Sequence, residues 1–153
     1  MDAGRTLVLA LGNPLRGDDG VGTAVVAQLE RMAVPPSVDL LDGGTPGLET
    51  VLLIQGYDRV IVIDAADMGL APGAVTCFSP DEVRLGARDM VLRGTLHYAG
   101  LAEALALADA MNMLPPQIIV FGVQPQGMDW EMALSAPVAA AVPQVCAKVL
   151  NLL

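Results

Sequence analysis

Two adjacent carboxylates, Asp18 and Asp19, sit inside the run Leu11-Gly12-Asn13-Pro14-Leu15-Arg16-Gly17-Asp18-Asp19-Gly20-Val21-Gly22. An apolar, β-prone stretch, Thr6 to Leu11, precedes it, and Val21, Val25, Leu29 and Met32 follow at helical spacing. The spacing predicts a strand, a glycine-punctuated turn and a helix that opens on two aspartates. Such turns often cradle a phosphate, but this one is neither GxxxxGK[ST] nor GxGxxG and carries no lysine. Two aspartates at its mouth would repel an anion, so a cation or a metal suits it better. Asp is also a good helix cap, and negative charge near a helix N-terminus contributes about 0.3–1 kcal/mol. One cap accounts for one aspartate; it explains neither the second nor the glycines that bare the turn.

Further carboxylates join this pair once the elements are laid out. The pattern predicts strands over 6–12, 38–41, 59–64, 74–78 and 117–123, with helices over 19–33, 48–55, 97–111 and 135–152. Leu48, Val51, Leu52 and Gln55 share one side of the second helix, and Leu101, Ala104, Leu105 and Ala108 share the inner face of the third. Ser79-Pro80-Asp81-Glu82 reads as a cap and a short helical turn, 86–96 as a loop, and Pro143 as a bend or break in the last helix. Arg59-Val60-Ile61-Val62-Ile63-Asp64 is continuous and β-branched, as expected of a strand buried on both faces in the middle of a parallel sheet. Strands alternating with helices imply right-handed crossovers. The expected fold is one α/β domain over 1–153, a three-layer sandwich. Its mostly parallel twisted sheet has about five strands, with room for one antiparallel strand, and helices on both faces.

In open sheets of this kind the site lies beyond the carboxyl ends of the strands. Asp64 and Asp42 each end a strand and the Asp18-Asp19 turn follows one, so a single edge collects four carboxylates. His97, the only histidine, opens a helix after a polar loop. Two aspartates with this imidazole would make a three-ligand set for a borderline divalent ion, leaving positions open for water or a substrate atom. There is no HExxH and no GxSxG, and a single histidine leaves little for a nucleophile triad. Asp42-Gly43-Gly44-Thr45-Pro46-Gly47 has a bland reading as a tight turn closed by side-chain bonds, and a functional one in which Gly43 and Gly44 offer backbone groups to an extended peptide. Asp18 is a candidate base by adjacency alone, and Asp67, Arg16 and the loop 86–96 are further candidates to touch a substrate.

Composition narrows the classes. The 153 residues are 54% hydrophobic, enough for a large core. Aromatics are 3% and the net charge is −9, so neither a base-stacking platform nor a phosphate-backbone surface is expected and nucleic acid is excluded as a partner. The longest uncharged run, Ala110 to Met128, is broken by Asn112, Pro115, Pro116, Gly122 and Pro125, whereas a membrane helix needs about 20 mostly apolar residues. The first residues show no charged-then-apolar pattern with a small-residue cleavage site, so a leader is not expected. Cys77 and Cys146, far apart and without a CxxC partner, are expected to be buried reduced thiols of a soluble cytoplasmic protein.

These residues together resemble the hydrogenase maturation endopeptidases, which process nickel-iron hydrogenase large subunits. The resemblance rests on the Gly12–Gly22 block, on Asp42-Gly43-Gly44-Thr45, on Ile63-Asp64-Ala65, and on His97 followed by Gly100-Leu101, and it spans nearly the whole chain. It implies a twisted sheet between helices and removal of a short C-terminal extension from a precursor subunit. It also implies three metal-binding positions that carry the reaction, matched by Asp19, Asp64 and His97. The family uses Glu or Asp at the first, so Asp19 fits. The metal implied is nickel already inserted in the precursor, which is then the recognition element; other divalent ions could occupy the same ligands. That agrees with the chemistry, because a resident zinc site would want more nitrogen or sulfur ligands than one histidine supplies. Asp42, Gly43, Gly44 and Asp18 are the residues expected at the substrate. Two other readings stay open at this point: a nickel-holding chaperone that cuts nothing, and a small-ligand-binding α/β module. The oligomeric state is not encoded in any pattern the chain displays.

Overall fold

The computed structural model of the chain describes residues 4–83, 96–131 and 133–153, with the backbone alone for 96–99. Among the described residues five strands form one sheet: β1 (Thr6–Ala10), β2 (Val38–Asp42), β3 (Arg59–Ala65), β4 (Val75–Phe78) and β5 (Gln117–Val123). Their order is β2-β1-β3-β5-β4, with β4 antiparallel to β5 and every other pairing parallel. The Asp64 strand is therefore central, as its unbroken β-branched run requires. Among the described residues the sheet is covered by α1 (Val21–Glu30), α2 (Thr50–Ile54), α3 (Leu96–Ala110) and α4 (Ala136–Leu150), and residues 80–83 are also helical.

Side-chain alternation along the strands divides the core in two. Leu7, Leu9, Val60 and Val62 face one side and pack with Val51, Ile54, Leu101 and Leu105 of α2 and α3. Val8, Ala10, Ile61 and Ile63 face the other and pack with Val25, Leu29, Val138 and Val145 of α1 and α4. This is the expected three-layer α/β sandwich, with helices on both faces of a mostly parallel sheet. The expected inner face of α3 is buried at all four positions, Leu101, Ala104, Leu105 and Ala108. The Ser79 cap closes reciprocally: Glu82 N–H donates to Ser79 Oγ and Ser79 N–H to Glu82 Oε1, both at 3.2 Å.

Several local expectations are corrected. The first helix begins only at Val21, because Gly17–Gly20 forms a 3₁₀ turn that carries both aspartates. The second is split in the same way: Gly47–Glu49 is a 3₁₀ turn before α2. The tighter turn shifts the helical phase, so Val51 and Ile54 are buried while Leu48 and Leu52 stand exposed. Pro143 does not break α4. Its missing N–H leaves the carbonyl of Ala139 on the exposed side of the helix, where water can serve it. Cys77 is exposed on the edge strand β4, and only Cys146 is a buried thiol. The expected loop over 86–96 lies outside the described residues except for Leu96, which opens α3. Among the described residues no helix is long and apolar enough to cross a membrane.

Candidate active site

The chain after β1 folds back on itself within a few residues. Leu11 N–H still donates to Ile63 O on the neighbouring strand, at 3.0 Å. Gly12 then adopts φ +121°, and a Cβ there would stand 2.1 Å from the carbonyl oxygen of Asp19. Only glycine permits both the backbone angle and that approach. Asn13 N–H donates to Asp19 Oδ2 at 2.8 Å, and the Asn13 side chain accepts from Leu15 N–H at 2.9 Å, so the turn that holds the Asp19 carboxylate is itself closed by a side-chain bond. Gly22 completes the packing: a Cβ there would lie 2.7 Å from Ile63 O, which brings the start of α1 against β3 one residue before Asp64. Asp18 and Asp19 are 1% exposed and Asp64 0%. Neither adjacent aspartate caps a helix; the cap position of α1 is Gly20 and receives no side-chain bond. The simple capping reading therefore fails.

The two adjacent carboxylates part company. Asp18 turns toward the segment after β5, where Oδ2 accepts from Gln126 N–H (2.8 Å), Gly127 N–H (3.2 Å) and Ser135 Oγ (2.8 Å), and Oδ1 from Ser135 N–H (2.7 Å). Burial raises its pKa, yet the bonds from Ser135, Gln126 and Gly127 together outweigh burial and hold the carboxyl below its ordinary value. With four donors on two oxygens and a depressed pKa, Asp18 is a poor base and has no face left for substrate; the expectation that placed it there is corrected. Its backbone joins the same latch, since Gly17 N–H bonds Glu131 O at 2.6 Å and Asp18 N–H bonds Gly127 O at 3.1 Å.

Asp19 instead lines an open cleft of about 330 Å³ at the carboxyl end of the sheet, together with Asn13, Arg16, Gly44, Thr45, Thr50, Leu101 and Trp130. The Asp42 turn forms one flank. Asp42 itself accepts from Thr23 Oγ1 at 3.0 Å and from Gly44 N–H at 3.4 Å, the closed turn of the bland reading. Gly43 N–H donates to Ala10 O and Gly44 O accepts from Gly12 N–H, both at 2.8 Å. Thus neither glycine has an N–H left for a peptide, although Gly44 contributes to the wall. Asp67 bonds Gln124 Nε2 at 3.2 Å. Gly100 packs close to the same flank, where a Cβ would lie 3.3 Å from Gly47 Cα. His97 belongs to the first turn of α3; its side chain lies outside the described residues. Among the described residues no three His, Cys, Asp or Glu side chains form a metal-holding group. Sequence patterns missed Trp130, which is 75% exposed and lies under the Arg16 guanidinium, 5.4 Å from guanidinium carbon to ring centroid. Its one signal was chemical: the single tryptophan of the chain in a polar, glycine-containing segment.

Comparison with known proteins gives this cleft a context. A family model described as hydrogenase maturation protease matches residues 23–152. The chain is 41% identical over 145 residues to the hydrogenase expression/formation protein HupD of Rhizobium leguminosarum bv. viciae, covering 92% of this chain and 70% of that protein. It is 30% identical over 148 residues to the hydrogenase 2 maturation protease of Escherichia coli K12, covering 95% and 88%. Among solved structures, the hydrogenase maturating endopeptidase HybD of Escherichia coli superposes with a TM-score of 0.87 at 29% identity, covering 97% of this chain and 91% of that one.

Proposed function

The chain belongs to the hydrogenase maturation protease family, whose role is C-terminal processing of the hydrogenase large subunit, and on that premise we propose that the cleft beside Asp19 receives the C-terminal tail of a nickel-loaded precursor. Asp19, Asp64 and His97 are the residues proposed to hold the metal and to act in the cut. One observation carries the reading: Asp19 is set by a glycine-dependent turn into the wall of an open cleft, where Gly100 and Leu101 of α3 also lie close by. Residues three and four apart share a helix face, which puts position 97 on the side of α3 that carries Gly100 and Leu101. Asp64 follows Ile63, whose carbonyl meets both Leu11 and the Gly22 contact, so its backbone belongs to the same edge.

Two carboxylates and one imidazole suit a borderline divalent ion whose remaining ligands come with the substrate. The nickel is then part of the substrate, and its chemistry there would be to polarise a carbonyl or to lower the pKa of water. The protein's own residues bind the tail, exclude Asp18 from the reaction by saturating it, and keep Asp19 fixed. The deciding experiment incubates chelator-treated protein with a large-subunit precursor bearing or lacking nickel and weighs the products. Cleavage of the nickel-loaded precursor alone is expected. Equal cleavage of the nickel-free form would refute the substrate-borne metal.

A further inference from the structure

We propose that Arg16, laid over Trp130, is the receptor for a carboxylate of the peptide that enters the cleft, a specificity device separate from the role of Asp19 in the same cavity. Both residues line that cavity. The guanidinium carbon is 5.4 Å from the Trp130 centroid, and the Arg16 Nε is buried with no hydrogen-bond partner among the described residues. No ion pair among the described residues includes Arg16; the one found joins Arg5 to Asp39 at 2.6 Å. Arg59, the other arginine of the sheet's far end, bonds Gln117 Oε1 at 2.7 Å and the carbonyl of Leu152. The chain carries 17 acidic and 8 basic residues, yet among the described residues no carboxylate pairs with this guanidinium in the cleft.

A guanidinium held over an indole is attracted by the ring face and keeps N–H groups for an acceptor. The fork they present matches a carboxylate, which can take two parallel charge-assisted bonds. Arg16 is also the only cation among the described lining residues of the cleft, whose wall Asp19 shares. The inference rests on the reading that a peptide tail occupies this cleft. A tail offers the needed group from two sources, its free C-terminus and an acidic side chain, and their shared chemistry is the carboxylate.

Trp130 is the only tryptophan, so its fluorescence reports on the receptor without any cleavage. Three probes separate the sources: acetyl-trialanine as the free acid, the same peptide as the amide, and acetyl-Ala-Glu-Ala as the amide. A saturable change with one or both acids and none with the neutral amide is expected, and the responding acid identifies the source. Arg16→Gln should weaken that binding by about 10- to 100-fold, the range expected for lost bonds to a charged group. Arg16→Lys, which keeps the charge without the fork, should recover part of it. Against the precursor, the Arg16→Gln loss should fall in KM. The receptor is overturned if neither acid responds, if the neutral amide responds equally, or if Arg16→Gln, with an unchanged melting curve, binds the acids as the parent does. Acid binding without any precursor cleavage would instead refute the proteolytic reading and leave the receptor standing.

Discussion

Replacing Asp18 by Asn should destabilise the protein strongly while changing no atom that faces the cleft. Oδ2 of Asp18 takes three donors and Oδ1 takes one, and two of the four contacts come from Ser135. An amide must turn its NH2 toward one of these sites. The cheaper orientation sets it against Ser135 N–H, which loses that bond and weakens the other three by removing the charge. Bonds to a charged acceptor contribute about 1.5–3 kcal/mol each, and a buried donor left unmatched costs about 1–3 kcal/mol, so a loss of about 2–4 kcal/mol follows. For a chain of this length each kcal/mol moves Tm by about 2–4 °C, which predicts a fall of about 4–16 °C at neutral pH. The pH dependence has a definite sign. The folded pKa of Asp18 is lowered, so its contribution is present above the unfolded value and is lost as pH falls through the folded one. The gap between parent and variant should therefore narrow below about pH 4, the ordinary range of an aspartate. Thermal melts by circular dichroism across that range make the test. Equal Tm at neutral pH, or a gap that widens on acidification, would refute the latch. Full stability with abolished cleavage would return Asp18 to the list of bases.

Gly12→Ala should lower both Tm and precursor cleavage, because the added Cβ would lie 2.1 Å from Asp19 O at a φ of +121°; a melt and a cleavage assay on the same preparation read both. Cys77 should react with a thiol reagent in the native state and Cys146 only after unfolding, as mass spectrometry of labelled peptides would show. Burial, then the charge of Glu82, raises the Cys77 pKa, so its labelling rate should still be climbing above the pH where an ordinary thiol levels off. Cys77→Ala and Cys146→Ala should both leave cleavage intact; loss of cleavage in a folded variant would point to thiol chemistry.

The parts of this fold that were legible in the sequence are those set by local pattern. Val60 to Ile63 announced a central strand because burial on both faces removes the polar alternation. Ser79 and Glu82 announced a cap because the partners are three residues apart. The parts that were not legible depend on contacts between distant segments. Asp18 and Ser135 lie on opposite sides of most of the chain, and no spacing rule joins them. Arg16 and Trp130 are hidden in the same way. The α2 face was misread because the α-helical part holds only five residues after a 3₁₀ turn, too few for a period to establish phase. Cys77 was misplaced because composition reports average burial, whereas β4 is a short edge strand. The placement of the Asp19 turn and of the Asp64 strand end was legible from the order of elements; the division of labour between Asp18 and Asp19 was not, since both sit in the same turn.

The central claim is that Asp19 and Asp64, unlike Asp18, serve the cut rather than the fold. Its most direct measurement is the intact mass of a nickel-loaded large-subunit precursor after incubation with the parent protein, Asp19→Asn, Asp64→Asn or His97→Ala, each with a matched melting curve. The account predicts a precursor shortened by one C-terminal peptide with the parent, and full-length precursor with all three variants at near-parental Tm. Shortening by Asp19→Asn and Asp64→Asn at the parental rate would contradict it.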